Sequence, residues 1–250
     1  SASRACPANP SSATCRPMPT ERARAARELG LAALAGALST LASVHTAWWP
    51  LSLACIGALA WRVGLASTGR AAALGWCFGT SWLVAGTWWL YVSMHRYGGL
   101  PAPLAALAVL ALSAALSLYL AAAMALFARL RRGHLAGDAA LFAACWLLAE
   151  LARGVLLTGF PWAASGYAHV DGPLAALAPW AGVYGIGAAA AGLAALPGLA
   201  QGAGRAWQAA LVVGVLLAVP LAGRDFSAAA GRVDVTLIQT NVAQDEKFAP

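Results

Sequence analysis

Charge is scarce in this chain. Only 10% of its 250 residues are Asp, Glu, Lys or Arg, against about 25% in an ordinary soluble domain, which excludes that class. Lysine is nearly missing: Lys247 is the one example, so the net charge of +7 rests on arginine. Those arginines stand singly or in small groups between apolar runs, never along one stripe. That argues against nucleic acid and for anionic lipid headgroups. The five cysteines, at 6, 15, 55, 77 and 145, have neither the pairing of a disulfide framework nor the spacing of a zinc site. Cys55, Cys77 and Cys145 lie in apolar runs, where a thiol behaves as a small hydrophobe. Nucleophile and phosphate-loop motifs are also missing: there is no GxSxG, no HExxH, no Cys beside a His and no glycine-rich phosphate loop. No metal or other cofactor is expected.

What the chain has is hydrophobic length. With 61% hydrophobic residues and a mean hydropathy of +0.70, it reads as a polytopic all-α membrane protein. A bilayer core of about 30 Å asks for roughly 20 apolar residues per helix. Seven segments meet or approach that, near 29–45, 50–66, 71–92, 103–128, 138–157, 174–197 and 206–222. Unpaired amides are too costly in hydrocarbon for these runs to be anything but helical. Gly75 and Gly79, and Gly182, Gly185 and Gly187, would let helices approach closely. Residues 1–27 read as a disordered basic cytoplasmic tail. The chain starts at Ser1, with Met18 a plausible alternative start, and shows no cleavable signal pattern.

Arginine placement sets the orientation. Arg22, Arg24 and Arg27, then Arg62 and Arg70, then Arg129, Arg131 and Arg132, and then Arg205 flank alternate ends of the spans. The amino terminus is therefore expected in the cytoplasm, and seven crossings put everything after residue 222 outside. The Trp48–Pro50 turn, the passage GTWWLYVSMHRYGGLP from Gly86 to Pro101 and the loop from Thr158 to Pro173 then share the outer face. Belt anchoring accounts for Trp48, Trp49, Trp88 and Trp89. It does not account for His95, Arg96 and Tyr97 gathered with glycines, or for Phe160-Pro161-Trp162 after a glycine.

Ionisable residues inside a span are costly and mark candidate function. Glu150 and Arg153, at i,i+3, can neutralise each other on one helix face, either as bundle glue or as part of a site. His95 and His169 read as solvated loop residues, the latter near Asp171. Beyond the last span, Arg232 to Asn241 has the β-branched content of a strand. One strand followed by nine residues cannot form a domain, so the chain is expected to stop just inside an outer, strand-containing one.

Three passages in order carry a resemblance: GTWWLYVSMHRYGGLP; ELARGVLLTGFPWAASGYAHVDGPLAALAPWAGVYGIG; and VTLIQTNVAQDEKF. Over roughly residues 29–250 the sequence resembles bacterial apolipoprotein N-acyltransferases. The resemblance implies a transmembrane helical domain over 28–222. Residues 223–250 would then open a periplasmic αββα nitrilase-like domain with its first β-strand. It implies an inner-membrane enzyme that moves an acyl chain from a phospholipid, through a cysteine thioester, to the amino-terminal diacylglyceryl-cysteine of a lipoprotein. The family's Glu, Lys and Cys would lie downstream of Pro250, so no catalytic residue is assigned here. By the same resemblance Trp89, His95, Tyr97, Phe160, Pro161, Trp162 and Tyr167 would floor the substrate site. Phe248 stands where many members have a tryptophan. Transporter-like and scaffold roles are the alternatives from other classes; a transporter would show broken or polar helices at the midplane.

Overall fold

The computed structural model describes residues 19–224 and 226–239. In chain order the α-helices are α1 (Pro19–Val44), α2 (Trp49–Gly64), α3 (Thr68–Gly86), α4 (Trp88–Val92), α5 (Ala102–Leu130), α6 (Leu135–Val155), α7 (Ala178–Leu199) and α8 (Gly204–Ala218). The seven expected spans fall on α1, α2, α3, α5, α6, α7 and α8. Among the described residues four stretches are long and apolar enough to cross a membrane: Ala102–Leu130, Leu135–Val155, Pro173–Leu199 and Gly204–Ala222. The other three are weaker on this criterion for visible reasons. Helix α2 has 16 residues, about 24 Å at 1.5 Å per residue, and α1 begins in charged sequence.

Two expectations need correction, and a third, the strand, is not shown. Residues 19–27 are not tail but the first turns of α1, because Pro19 suits a helix start and the alternating Ala, Arg and Glu that follow are good helix formers. The span drawn as 71–92 breaks at Thr87 (φ −113°, ψ 20°), whose Oγ1 donates to the Leu83 carbonyl at 2.8 Å and competes with the helical ladder. No strand forms among the described residues. Residues 232–239 are exposed and irregular, since a strand needs a neighbouring edge to pair with. Thr240, Asn241, Phe248, Lys247, Cys6 and Cys15 lie outside the described residues.

The core is aromatic and small-residue packing between helices. Phe78 meets Trp146 edge-on at 6.1 Å, and Phe127 meets Phe142 edge-on at 5.3 Å, geometries the ring quadrupoles favour. Around them pack Ile56, Leu59, Leu74 and Met124, all nearly inaccessible. Helix α3 lies so close to α5 that a Cβ on Gly75 would come within 2.9 Å of the Leu120 carbonyl oxygen, so the GxxxG spacing is a contact face. The outside is equally apolar. Leu104, Leu107, Leu110 and Leu118 on α5 are each at least half exposed, a patch too large for water and suited to lipid.

One end of the bundle is basic. The Glu28 carboxylate pairs with both Arg62 and Arg70, tying α1 to α2 and α3. Arg131 donates to the Val63 and Ala66 carbonyls at the end of α2, and Arg205 to the Pro197 and Ala200 carbonyls at the end of α7. These guanidiniums bond to carbonyls at the helix ends and complement the negative helix ends.

Candidate functional site

The opposite end carries the polar and aromatic loops. After Thr87, α4 runs into a π-helical turn over Ser93–Tyr97, and Gly99 (φ +68°) turns the chain back toward α5. His95 is exposed, and its Nδ1 lies 2.8 Å from the Leu100 carbonyl oxygen, closing this arm on itself. Along the arm Trp88 stacks on Tyr91 at 4.6 Å, Tyr91 leans on His95 at 5.5 Å, and the Arg96 guanidinium covers Tyr97 at 5.7 Å.

The second loop is held from below by α6. Trp146, Glu150 and Arg153 occupy positions i, i+4 and i+7, one face of the helix. Glu150 accepts hydrogen bonds from the Ser165 backbone N–H at 2.7 Å and the Ser165 hydroxyl at 3.0 Å, and that hydroxyl accepts from Trp146 Nε1 at 3.0 Å. Arg153 donates to the Phe160, Trp162 and Ala163 carbonyls and lies over the Trp82 ring at 5.8 Å. The i,i+3 ion pair is present at 3.7 Å, but each partner spends its better bonds on the loop. The bundle-glue and site readings therefore merge, because the glue is what positions the loop. Both residues are 4% exposed. A buried pair this well hydrogen-bonded meets the condition under which such a pair is tolerated.

The loop so held is strained. Leu157 (φ 52°) and Ala163 (φ 58°) both take left-handed conformations, which cost L-residues of this kind of order 1 kcal/mol each. They bracket Phe160-Pro161-Trp162 and turn Trp162 outward, where it is 54% exposed. Trp162 then lies 6.0 Å from Trp89 and 5.9 Å from Phe160. This aromatic contact is the junction of the two loops. Of the expected site residues, Trp89, Phe160 and Trp162 are brought together. His95 and Tyr97 sit further along the α4 arm, and Tyr167 is exposed on the turn that Glu150 holds.

His169 departs from expectation. It is fully buried, neither ring nitrogen has a partner among the described residues, and its ring faces Trp49 at 6.5 Å. Its neighbour Asp171 is instead used by the Thr46 hydroxyl. Burial pushes the imidazole pKa down from the usual 6.5 to about 4. Between those values the unfolded chain binds the proton and the folded chain does not. Stability is therefore complete above pH 6.5 and falls as the pH drops toward 4, by about 3 kcal/mol in all. A thermal-midpoint series across that range should show the decline, and His169→Phe should flatten it.

Sequence reading missed Trp146 and Ser165 and took the buried His169 for a solvated residue. The first was legible as an extension of the Glu150–Arg153 stripe. The other two needed the loop's path, which no periodicity encodes. Among the described residues no group of His, Cys, Asp and Glu is arranged to hold a metal.

A helical membrane domain, basic at one end and roofed at the other by a clamped aromatic loop, is the class of protein these features define. Residues 35–196 match the family described as the apolipoprotein N-acyltransferase N-terminal domain, and the chain belongs to that family. It is 50% identical over 242 residues to an apolipoprotein N-acyltransferase of Verminephrobacter eiseniae, covering 87% of this chain and 45% of that protein. An enzyme of the same name from Ralstonia nicotianae is 45% identical over 225 residues, with 87% and 43% covered. One from Pseudomonas putida is 42% identical over 229 residues, with 88% and 45% covered. The chain thus spans less than half the length of these curated relatives.

Proposed function

We propose that this chain is the membrane portion of an apolipoprotein N-acyltransferase of the bacterial inner membrane. That enzyme would take an acyl chain from a phospholipid and give it to the free amino group of a lipoprotein's diacylglyceryl-cysteine. The observation that carries this reading is the family match over residues 35–196, with relatives of that name matched through 87% of the chain. Transporter and scaffold readings are not favoured. The ionisable pair of α6 sits in its last two turns and is consumed by the loop.

In this proposal seven helices cross the bilayer, α1 begins in the cytoplasm, and the segment after α8 emerges in the periplasm. There Arg232 to Asn241 would become the first strand of a nitrilase-like domain. A cysteine of that domain would be the nucleophile, splitting the transfer into thioester formation and aminolysis. Trp89, Phe160 and Trp162, with His95, Tyr97 and Tyr167 around them, would receive the acyl donor and the lipopeptide. Phe248 would add an aromatic face without an indole N–H.

Joining residues 1–250 to the part of the Verminephrobacter eiseniae relative that this chain does not match gives a test. The chimera should transfer acyl chains from phosphatidylethanolamine to a diacylated lipopeptide, whereas residues 1–250 alone should not. Activity in the latter would refute the placement of the chemistry. In the chimera, Trp162→Ala or His95→Ala should lower turnover roughly tenfold, the scale of one lost aromatic or hydrogen-bonding contact, at undiminished expression. Unchanged turnover in both would reduce these residues to membrane anchors.

A further inference from the structure

A groove of about 780 Å³ opens at the basic end, between the end of α2, the α5–α6 turn and the α7–α8 turn. Trp61, Leu65, Arg131, Asp138, Leu199 and Arg205 line it. It leads into a mostly apolar furrow of about 240 Å³ between α2 and α7, with Trp61, Gly198 and Arg205 shared by the two. The furrow runs past Leu53, Gly57 and Trp61, successive positions on one helix face, so it extends about 12 Å toward the bilayer centre. Its floor is backbone: a Cβ on Gly198 would lie 2.6 Å from the Gly57 carbonyl oxygen.

The polar half has charge to spare. Arg131 and Arg205 each use two N–H groups on carbonyls, leaving three of the five donors of each guanidinium. Neither pairs with a carboxylate among the described residues. Asp138 is occupied by the backbone N–H groups of Arg132 and Gly133, at 2.9 and 2.8 Å. The Arg205 guanidinium lies over Trp61 at 5.1 Å, which fixes it at the neck between groove and furrow.

We propose that groove and furrow together bind one anionic phospholipid, its phosphate on Arg131 and Arg205 and one acyl chain along α2 and α7. Free phosphate could satisfy the arginines but would leave the furrow empty, and a neutral detergent would do the reverse. The joined polar and apolar halves select an amphipathic anion. The site is at the end remote from the aromatic loops and does not depend on acyl transfer.

The test titrates the purified chain in mild detergent with dioctanoyl phosphatidylglycerol, read by native mass spectrometry, with dioctanoyl phosphatidylcholine and inorganic phosphate as separate arms. One phosphatidylglycerol should be retained in preference to phosphatidylcholine, and equimolar phosphate should not displace it. Arg205→Gln should weaken retention about tenfold, the worth of a charge-assisted hydrogen bond. Ala58→Phe should do the same by filling the furrow. Ala58 is exposed and outside the packed core, so this variant decides the matter should Arg205→Gln fail to fold. Undiminished retention in Ala58→Phe, full displacement by phosphate, or equal retention of phosphatidylcholine would each overturn the proposal.

Discussion

Arg153→Leu should be the most damaging single change in the loop-bearing half, with an expected loss of about 3–5 kcal/mol of stability, the usual cost of stranding a buried charge. The Glu150 carboxylate, 4% exposed, would lose its cation, and the Phe160, Trp162 and Ala163 carbonyls would lose their donor. Leu157 and Ala163 hold left-handed backbone against a local cost, so the loop should relax once those bonds are gone. In the chimeric enzyme turnover should fall on the order of 10²-fold, as expected when a positioning element shifts by about an ångström. The double variant Glu150→Leu/Arg153→Leu should recover part of the stability, because no charge is left unmatched, but not the turnover. Thermal midpoints of the singles and the double form the cycle that checks this. Simple additivity would mean that the two residues act separately.

The second large effect is expected at Gly75. A leucine there would have its Cβ 2.7 Å from Met124 Cγ and 2.9 Å from the Leu120 carbonyl oxygen. Methionine can swing aside, but a helical carbonyl cannot. Helices α3 and α5 must separate, opening the packing around Phe78 and Met124 at a cost of about 3 kcal/mol or more. Gly75→Leu should therefore accumulate poorly and melt well below the parent. Leu110→Phe, on the lipid-facing side of α5, should melt with it. A Gly75→Leu protein with the parent's melting temperature would show that α3 and α5 are not in register as described.

Helix positions were legible because hydrocarbon leaves the backbone one solution, so an apolar run of sufficient length names its own structure. The basic end was legible for a related reason: arginine at alternate helix ends is a linear pattern. Other features were not linear. The break at Thr87 depends on one hydroxyl choosing a carbonyl four residues back. The burial of His169 depends on how the loop folds under Trp49, which is remote in sequence. The pairing of Trp89 with Trp162 joins loops separated by two helices; their residue types drew notice, but their contact could not be read. Glu150 and Arg153 showed the reverse, since their spacing announced a pair and hid that the pair's main partners lie in the following loop. Arg232 to Gln239 had a strand's composition without a neighbour to make it one.

The early stop of α3 has a consequence for how a lipid would be presented. Its 19 residues rise about 28 Å, close to the thickness of the hydrocarbon layer. In the proposed seven-helix arrangement the chain would leave α3 at the boundary and lay Trp88 and Trp89 beside it. The glycerol esters of a phospholipid lie at that same depth. Under the proposed acyl transfer, a donor reaching Trp89 and Trp162 would have its scissile bond already level with the rings, and would need to move sideways in the leaflet rather than climb out of it.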